Sequence, residues 1–507
     1  MFEQQIMLVS PASLLTESLR KSHRGTAISR IMAAALNAAD PAEAVRRSLH
    51  WEGDALHAGD FAWRPAEGGR VYLVAAGKAS VSMAEAAADV LGQWLYAGII
   101  VAKRGQAPPE APHPRLYLYE ASHPVPGEDG VQATRRIRAL LSETRPDDLV
   151  LALISGGGSA LMTAPVPGVS LAALQSLTRY LLACGADIRE INCLRKHLDA
   201  VKGGGLARWA APAAVLTLIL SDVVGSPLDV IASGPTVPDP TTFLDALAIL
   251  RKYDLVEKTP PEILEHLRRG AAGEIPETGK ETDPVFEGVR NLIVGDNPLA
   301  ARAALKQAAA EGFRALLLTT ALQGEAREAG RFLAAILSEI ARSENPLPRP
   351  ACLVAGGETT VTLRGEGLGG RNQELALGAA RDLAGLPGLV LVSLATDGGD
   401  GPTDAAGAVV TGETLVRARQ AGLSPEDFLR RNDSYHFFEA LGDLLKPGPT
   451  QTNVNDLTFL FALPPLGPTQ NNKSTKGSSK MLQPSSPTSQ RASTEARHKP
   501  SGATSST

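Results

Sequence analysis

Lys78 stands at the end of an apolar run, Val71–Ala76, inside the turn Gly77-Lys78-Ala79-Ser80, where a lysine serving only solubility would be out of place. A second run, Leu149–Ile154, ends in Ser155-Gly156-Gly157-Gly158-Ser159. Turns of this composition between a strand and a helix present backbone N–H groups with no side chain to block an approaching anion. Lys202-Gly203-Gly204 follows a helical pattern, Gly356-Gly357-Glu358 follows another apolar run, and Gly367-Leu368-Gly369-Gly370-Arg371-Asn372 opens a helix with a cation and an amide. This recurrence favours a phosphate or nucleotide site over a set of unrelated tight turns.

Phosphoryl transfer also needs cations for the moving group, oxygen ligands for a metal ion and a group to orient the acceptor hydroxyl. Arg371 can clamp a carboxylate or phosphate with two parallel N–H bonds. Asn192, Arg195 and Lys196 are spaced i, i+3 and i+4, so one helical face can present them toward the Lys202 turn. Asp222 follows the continuous apolar run Ala214–Leu220, a placement suited to metal or proton work. Asp397-Gly398-Gly399-Asp400-Gly401-Pro402-Thr403-Asp404 closes another such run, Leu389–Ala395, with three carboxylates. Mg²⁺ needs only one or two carboxylates beside phosphate oxygens and water, so Asp222 and Asp397 are the candidate ligands.

Several familiar motifs are absent. A Walker A loop ending at Lys78 would need Gly at position 72 and Ser or Thr at 79, where Tyr72 and Ala79 stand. The turn around Ser159 is no nucleophile elbow, since Leu161 occupies the second required glycine position. Gly365-Glu366-Gly367-Leu368-Gly369-Gly370 does satisfy the dinucleotide pattern, which keeps a nicotinamide-dependent oxidoreductase open, although no acidic residue stands about 20 positions on. His123, in Ser122-His123-Pro124-Val125-Pro126, reads as part of a rigid turn rather than as a base.

Short runs rich in Val, Ile and Leu alternate with amphipathic segments of helical length, the pattern of parallel sheets covered on both faces. The predicted strands include Val71–Ala76, Gly98–Val101, Leu149–Ile154, Ala214–Leu220, Leu292–Val294, Ala315–Thr319, Cys352–Ala355, Thr360–Leu363, Leu389–Ala395 and Leu457–Leu463. At 507 residues the chain is long enough for two or three domains, with 44% hydrophobic and 21% charged residues. A Pro-, Gly- and charge-rich stretch, 257–287, suggests a boundary. The division read from sequence is an extension at 1–25, an α/β domain at 26–260, a connecting and second-lobe segment at 261–350 and a second α/β domain at 351–463. Residues 464–507, half of them Ser, Thr or Pro, read as disordered. A net charge of −4 argues against nucleic acid or an anionic membrane as partner. Three cysteines and no long apolar stretch suit a soluble cytoplasmic protein, and a homo-oligomer stays open.

The motifs also form an ordered series. Ala76-Gly77-Lys78-Ala79, Ser122-His123-Pro124-Val125-Pro126, Ile154 to Leu161, Asn192 with Arg195-Lys196 and Lys202-Gly203-Gly204, Leu220-Ser221-Asp222-Val223-Val224-Gly225, Ile231 to Thr236, Gly356-Gly357-Glu358, Gly370 to Glu374 and Thr396 to Gly407 together resemble the two-domain glycerate kinases, sometimes labelled hydroxypyruvate reductase. The resemblance runs from about residue 26 to 463. It implies two Rossmann-like α/β/α domains with largely parallel sheets and a cleft between them, and ATP- and Mg²⁺-dependent phosphorylation of D-glycerate to 2-phosphoglycerate. It also implies Lys78 and Arg371 as the active-site pair. The chemistry of the residues adds Asp222 as a third catalytic group and Asp222 or Asp397 as metal ligand. The expected nucleotide contacts are Ser155, Gly156, Gly157, Gly158, Ser159, Asn192, Arg195, Lys202, Gly203, Gly204, Gly356, Gly357 and Glu358. The rival readings are a nicotinamide-dependent hydroxypyruvate reductase, a kinase forming 3-phosphoglycerate and a non-catalytic sugar-phosphate sensor.

Overall fold

A computed structural model describes residues 9–464. The expectations for the first eight residues and for the tail beyond residue 464 lie outside the described residues. The first sheet holds six strands: β1 (Val71–Ala76), β2 (Leu95–Lys103), β3 (Leu116–Ala121), β4 (Leu149–Ile154), β5 (Ala214–Leu220) and β6 (Val289–Gly295). Their spatial order is β3-β2-β1-β4-β5-β6, and every neighbouring pair is parallel. Every residue of β1 and β4 is buried, which is why both read as unbroken apolar runs. The order reverses between β1 and β4, whose side-by-side pairing from Val71↔Leu149 to Ala76↔Ile154 brings their two glycine turns together at the carboxyl edge. A ligand crevice belongs at such a switch point.

The second sheet comprises β7 (Arg314–Leu322), β8 (Ala351–Gly357), β9 (Leu389–Ala395), β10 (Gly407–Thr411), β11 (Leu444–Leu445) and β12 (Asp456–Ala462), in the order β7-β8-β12-β9-β10-β11. It is mixed, where largely parallel pairing was expected: β12 runs antiparallel between β8 and β9. This reversal matters for function, because it sets Asp456, the first residue of β12, opposite both Gly357 and Ala395 at the carboxyl ends of β8 and β9.

Five helices support the site and the core beneath it: α1 (Gly25–Ala38), α2 (Ser80–Leu91), α3 (Ile188–Leu198), α4 (Asn297–Ala310) and α5 (Arg371–Ala379). A capping box of Asp187 and Glu190 starts α3, and Asp296 caps α4. Asp40 caps the helix that begins at Pro41, as its position before a proline predicts. Buried residues of α1 and α4 join one apolar core that contains Leu73, Leu151 and Leu218 of the first sheet and Val354, Val392 and Phe459 of the second.

The segment 261–350 is therefore not one unit. Helix Pro261–Ala271 packs with α3 in the first lobe, β6 closes the first sheet, and β7 opens the second. The segment around Ser18 belongs with the second lobe. The backbone N–H and hydroxyl of Ser18 donate to the Asp443 carboxylate at 2.8 and 2.7 Å, and Arg417 completes the cluster at 2.6 Å. Thr360–Leu363 forms no strand, since Thr360 makes only an isolated bridge to Glu325. No helix among the described residues is long and apolar enough to cross a membrane.

The Asp443 side chain is fully buried, so Asp443→Ala removes the carboxylate that accepts from Arg417 and from the Ser18 amide and hydroxyl. The expected loss is about 3 kcal/mol of unfolding free energy, read by urea denaturation. A loss under about 1 kcal/mol would show that the N-terminal helices are anchored by other contacts.

Candidate active site

The two glycine turns at the switch point differ in what they offer a ligand. In the first, the amides of Gly77, Lys78 and Ala79 donate to the carbonyls of Val101 and Gly156 and to the Ser155 hydroxyl. These bonds tie the turn to β2 and to the second turn, and they fix the backbone of Lys78. In the second, Ser155 donates to Ala76 and Gly158 to Ser155, while the amides of Gly156, Gly157 and Ser159 have no partner among the described residues. Gly157 adopts φ +87°, and a Cβ there would fall 3.0 Å from the His123 ring and 3.7 Å from the Lys78 Cγ. A Cβ on Gly156 would lie 2.0 Å from the Asp222 Oδ2. Lys78, His123, Asp222 and three free amides thus share one crevice.

Their charges act on one another. Burial raises the Asp222 carboxyl above its ordinary range, the Lys78 ammonium opposes that rise, and the Asp397 carboxylate adds to it. Burial, then Lys78 and Lys103, pushes the His123 imidazole down to about 4. His123 is therefore neutral through the physiological range.

The second lobe closes the crevice through β12 and the residues before it. The Asn455 side-chain amide donates to the Asp222 carbonyl at 2.6 Å and to Glu358 Oε2 at 3.0 Å. Asn453 Nδ2 lies 3.5 Å from Asp222 Oδ2. Glu358 pairs with an Nη of Arg371 at 3.0 Å, and Arg371 grips Asp456 with two bonds of 2.5 and 3.0 Å. Burial works against the Arg371 charge, but Asp456 and Glu358 more than restore it, so the guanidinium stays cationic. Asp400 takes the first turn of α5: its carboxylate accepts the amides of Asn372 and Gln373 at 3.1 and 2.9 Å, and burial raises it to about 7.

Other residues singled out from sequence are committed elsewhere. Lys202 is buried, bonded to Asp199 at 2.5 Å and to the Met162 carbonyl, and the amides of Gly203 and Gly204 donate to Ser233 and Gly234. Asn192 is buried between Ser233 and the Val230 carbonyl. Gly356 and Gly357 are strand residues, and a Cβ on Gly356 would strike Asn297 Oδ1 at 1.7 Å. These positions are engaged in contacts within the protein. Arg195, half-buried on α3, makes no hydrogen bond or ion pair among the described residues, and burial lowers its pKa. The glycines at 365, 367, 369 and 370 follow no strand and pack against Arg431, Asp433, Ser434 and Asp400. The dinucleotide pattern therefore lacks its scaffold. Asp397 stands at the carboxyl end of β9, its Oδ1 accepting the Gly399 amide at 3.1 Å. No cluster of three or more His, Cys, Asp or Glu side chains with metal-ligating geometry occurs among the described residues.

Sequence reasoning read His123 as part of a rigid turn and named none of Ser233, Asn455 and Asp456 as site residues. The available signal was the polar run Thr452 to Asp456 placed directly before a buried apolar strand.

A doubly wound sheet with free amides at its switch point, closed by cations and carboxylates from a second lobe, defines a two-lobed α/β enzyme built around an anionic small molecule. A family model described as a domain of unknown function, DUF4147, matches residues 27–268, and the MOFRL family model matches 351–456. The chain is 47% identical over 388 residues to the D-glycerate 2-kinase of Thermotoga maritima, covering 76% of this chain and 89% of that protein. It is 43% identical to the glycerate 2-kinase of Pyrococcus horikoshii over 84% of this chain and 95% of the relative. A crystal structure titled as glycerate kinase from Thermotoga maritima superposes with a TM-score of 0.76 at 42% identity, covering 86% of this chain and 98% of that one. The chain belongs to the glycerate kinase family.

The state of His123 is open to test. An unfolded imidazole titrates near about 6.5, whereas the folded one stays neutral until about 4. Between those values the unfolded chain binds the extra proton, so stability contributed by this residue is lost as pH falls through that window. The expected proton NMR signal of His123 shows no titration above about pH 5, and His123→Asn flattens the loss. A midpoint near the ordinary value would overturn the assignment.

Proposed function

We propose that the protein transfers the terminal phosphoryl group of ATP to the 2-hydroxyl of D-glycerate, giving 2-phosphoglycerate and ADP. The observation that carries this reading is the set of unused donors, the amides of Gly156, Gly157 and Ser159 with the Lys78 ammonium, directly beside the Asp222 carboxylate. The two relatives named as 2-kinases support the choice of hydroxyl. The doubly wound strand order, shared with mononucleotide-binding sheets, supports ATP.

In this mechanism the three amides hold phosphate oxygens. Lys78 offsets the charge that spreads over the transferring group in a loose transition state. Arg371 is oriented by its two bonds to Asp456. Its third contact, Glu358, is partly exposed and gives way to the substrate carboxylate. Asp222, steadied by Asn453, accepts the proton of the attacked hydroxyl, and its raised pKa suits that task. Two carboxylates close enough to influence each other, Asp222 and Asp397, form a hard-oxygen donor set and would hold Mg²⁺. When bound, Mg²⁺ supplies positive charge to the phosphate oxygens. A cytoplasmic location suits an ATP-consuming enzyme whose three cysteines are all free.

Lys78→Ala and Arg371→Ala should each lower turnover about a hundredfold or more while circular dichroism stays unchanged. A coupled ADP assay reads the rate, and phosphorus NMR identifies the product. Near-normal turnover in both variants, or consumption of a reduced nicotinamide with hydroxypyruvate and no ATP, would defeat this reading.

A further inference from the structure

Behind the second glycine turn runs a chain of hydrogen bonds whose direction is forced. The Val230 carbonyl can only accept, so the atom of Asn192 that faces it at 3.2 Å is the amide nitrogen. The other end of that side chain, Oδ1, is then an acceptor, and the Ser233 hydroxyl donates to it at 2.9 Å. Ser233 has one proton and has used it. Its oxygen lies 2.8 Å from the Ser159 Oγ, so Ser159 is the donor of that bond. Ser233 and Asn192 are buried, which leaves no water to relax the order, while Ser159 is half-exposed at the end of the turn.

The Ser159 hydroxyl has therefore spent its proton inward and turns only lone pairs toward the crevice. An ionised phosphate oxygen has no proton to give, so it finds no partner there, although the Ser159 amide beside it is a free donor. What the oxygen can take is a hydroxyl proton in a hydrogen bond. The attacked hydroxyl must lose its proton outright, and a neutral serine whose relay ends on a carbonyl cannot receive it. The matching donor is a hydroxyl that keeps its proton through the reaction. Asp222 and Asp397 are stronger ligands for a cation than this neutral oxygen.

Resting on the glycerate 2-kinase reading, we propose that Ser159 Oγ accepts a hydrogen bond from the unreactive 3-hydroxyl of D-glycerate. Ser159 is then the residue that distinguishes glycerate from D-lactate, which carries a methyl group at that carbon. Asn192 and Ser233 are positioning residues that hold its lone pairs outward.

The test compares D-glycerate and D-lactate in the full-length protein with ATP and Mg²⁺, reading KM for glycerate and the competitive inhibition constant of lactate. The wild type should bind glycerate about tenfold more tightly than lactate. In Ser159→Ala that preference should vanish through weaker glycerate binding, with the KM for ATP and the Mg²⁺ activation constant unchanged. Ser233→Ala removes the acceptor that holds the Ser159 proton inward, so the preference should fall while the KM for ATP stays unchanged. A Ser159→Ala enzyme that keeps the preference, or that loses ATP or Mg²⁺ affinity instead, overturns the proposal while leaving the glycerate kinase reading intact. An unchanged preference in Ser233→Ala also counts against it, and this holds even if Ser159→Ala fails to fold. If the wild type leaves D-glycerate unphosphorylated, the functional reading itself fails.

Discussion

At the switch point of the first sheet, two turns lie so close that a methyl group on Gly77 would fall 2.1 Å from the Ser155 hydroxyl, and one on Gly156 2.0 Å from the Asp222 carboxylate. Neither position has room for any side chain. This approach couples the turns: the Lys78 and Ala79 amides of the first go to the second, and the second is left with three amides to spare. Lys78 is consequently anchored through its backbone while its side chain is free to meet a ligand. Had the first turn kept its own amides, the same glycines would have made two shallow anion sites in place of one deep crevice beside a carboxylate.

The second lobe is attached to that crevice by neutral amides. Asn455 reaches both Asp222 and Glu358, and Asn453 reaches the Asp222 side chain. Amides suit this junction, since they satisfy carboxylate and carbonyl oxygens without adding charge to a site already balanced between Lys78, Arg371 and several carboxylates. Below the polar layer, the apolar core built around α1 and α4 runs through both sheets. The lobes share one interior, so the cations of one sheet and the carboxylates of the other are held by common packing.

Much of the fold was legible because burial on both faces leaves an unmistakable pattern. Val71–Ala76, Leu149–Ile154, Ala214–Leu220 and Leu389–Ala395 are strands over the residues read from sequence. Leu116–Ala121 was missed because it lies at a sheet edge and only its two end residues are buried. Thr360–Leu363 has strand-like composition, yet only one of its residues finds a strand-type partner. The reversal of β12 left no trace in composition, since an apolar run between two others reads alike in either direction.

Residue types and their spacing determined which groups this protein has for anion chemistry, because a glycine turn after a buried strand, a lysine at its end and a carboxylate after the next strand are local facts. Tertiary structure alone decided which of them meet. Lys202 and Lys78 are both lysines beside glycines, but one spends its charge on Asp199 and the other faces Asp222. Asn192 and Asn455 are both amides, but one backs a serine and the other bridges the lobes. For the two asparagines the partners come from 41 and 233 residues away, and a linear chain does not record which donors its folding will leave unspent.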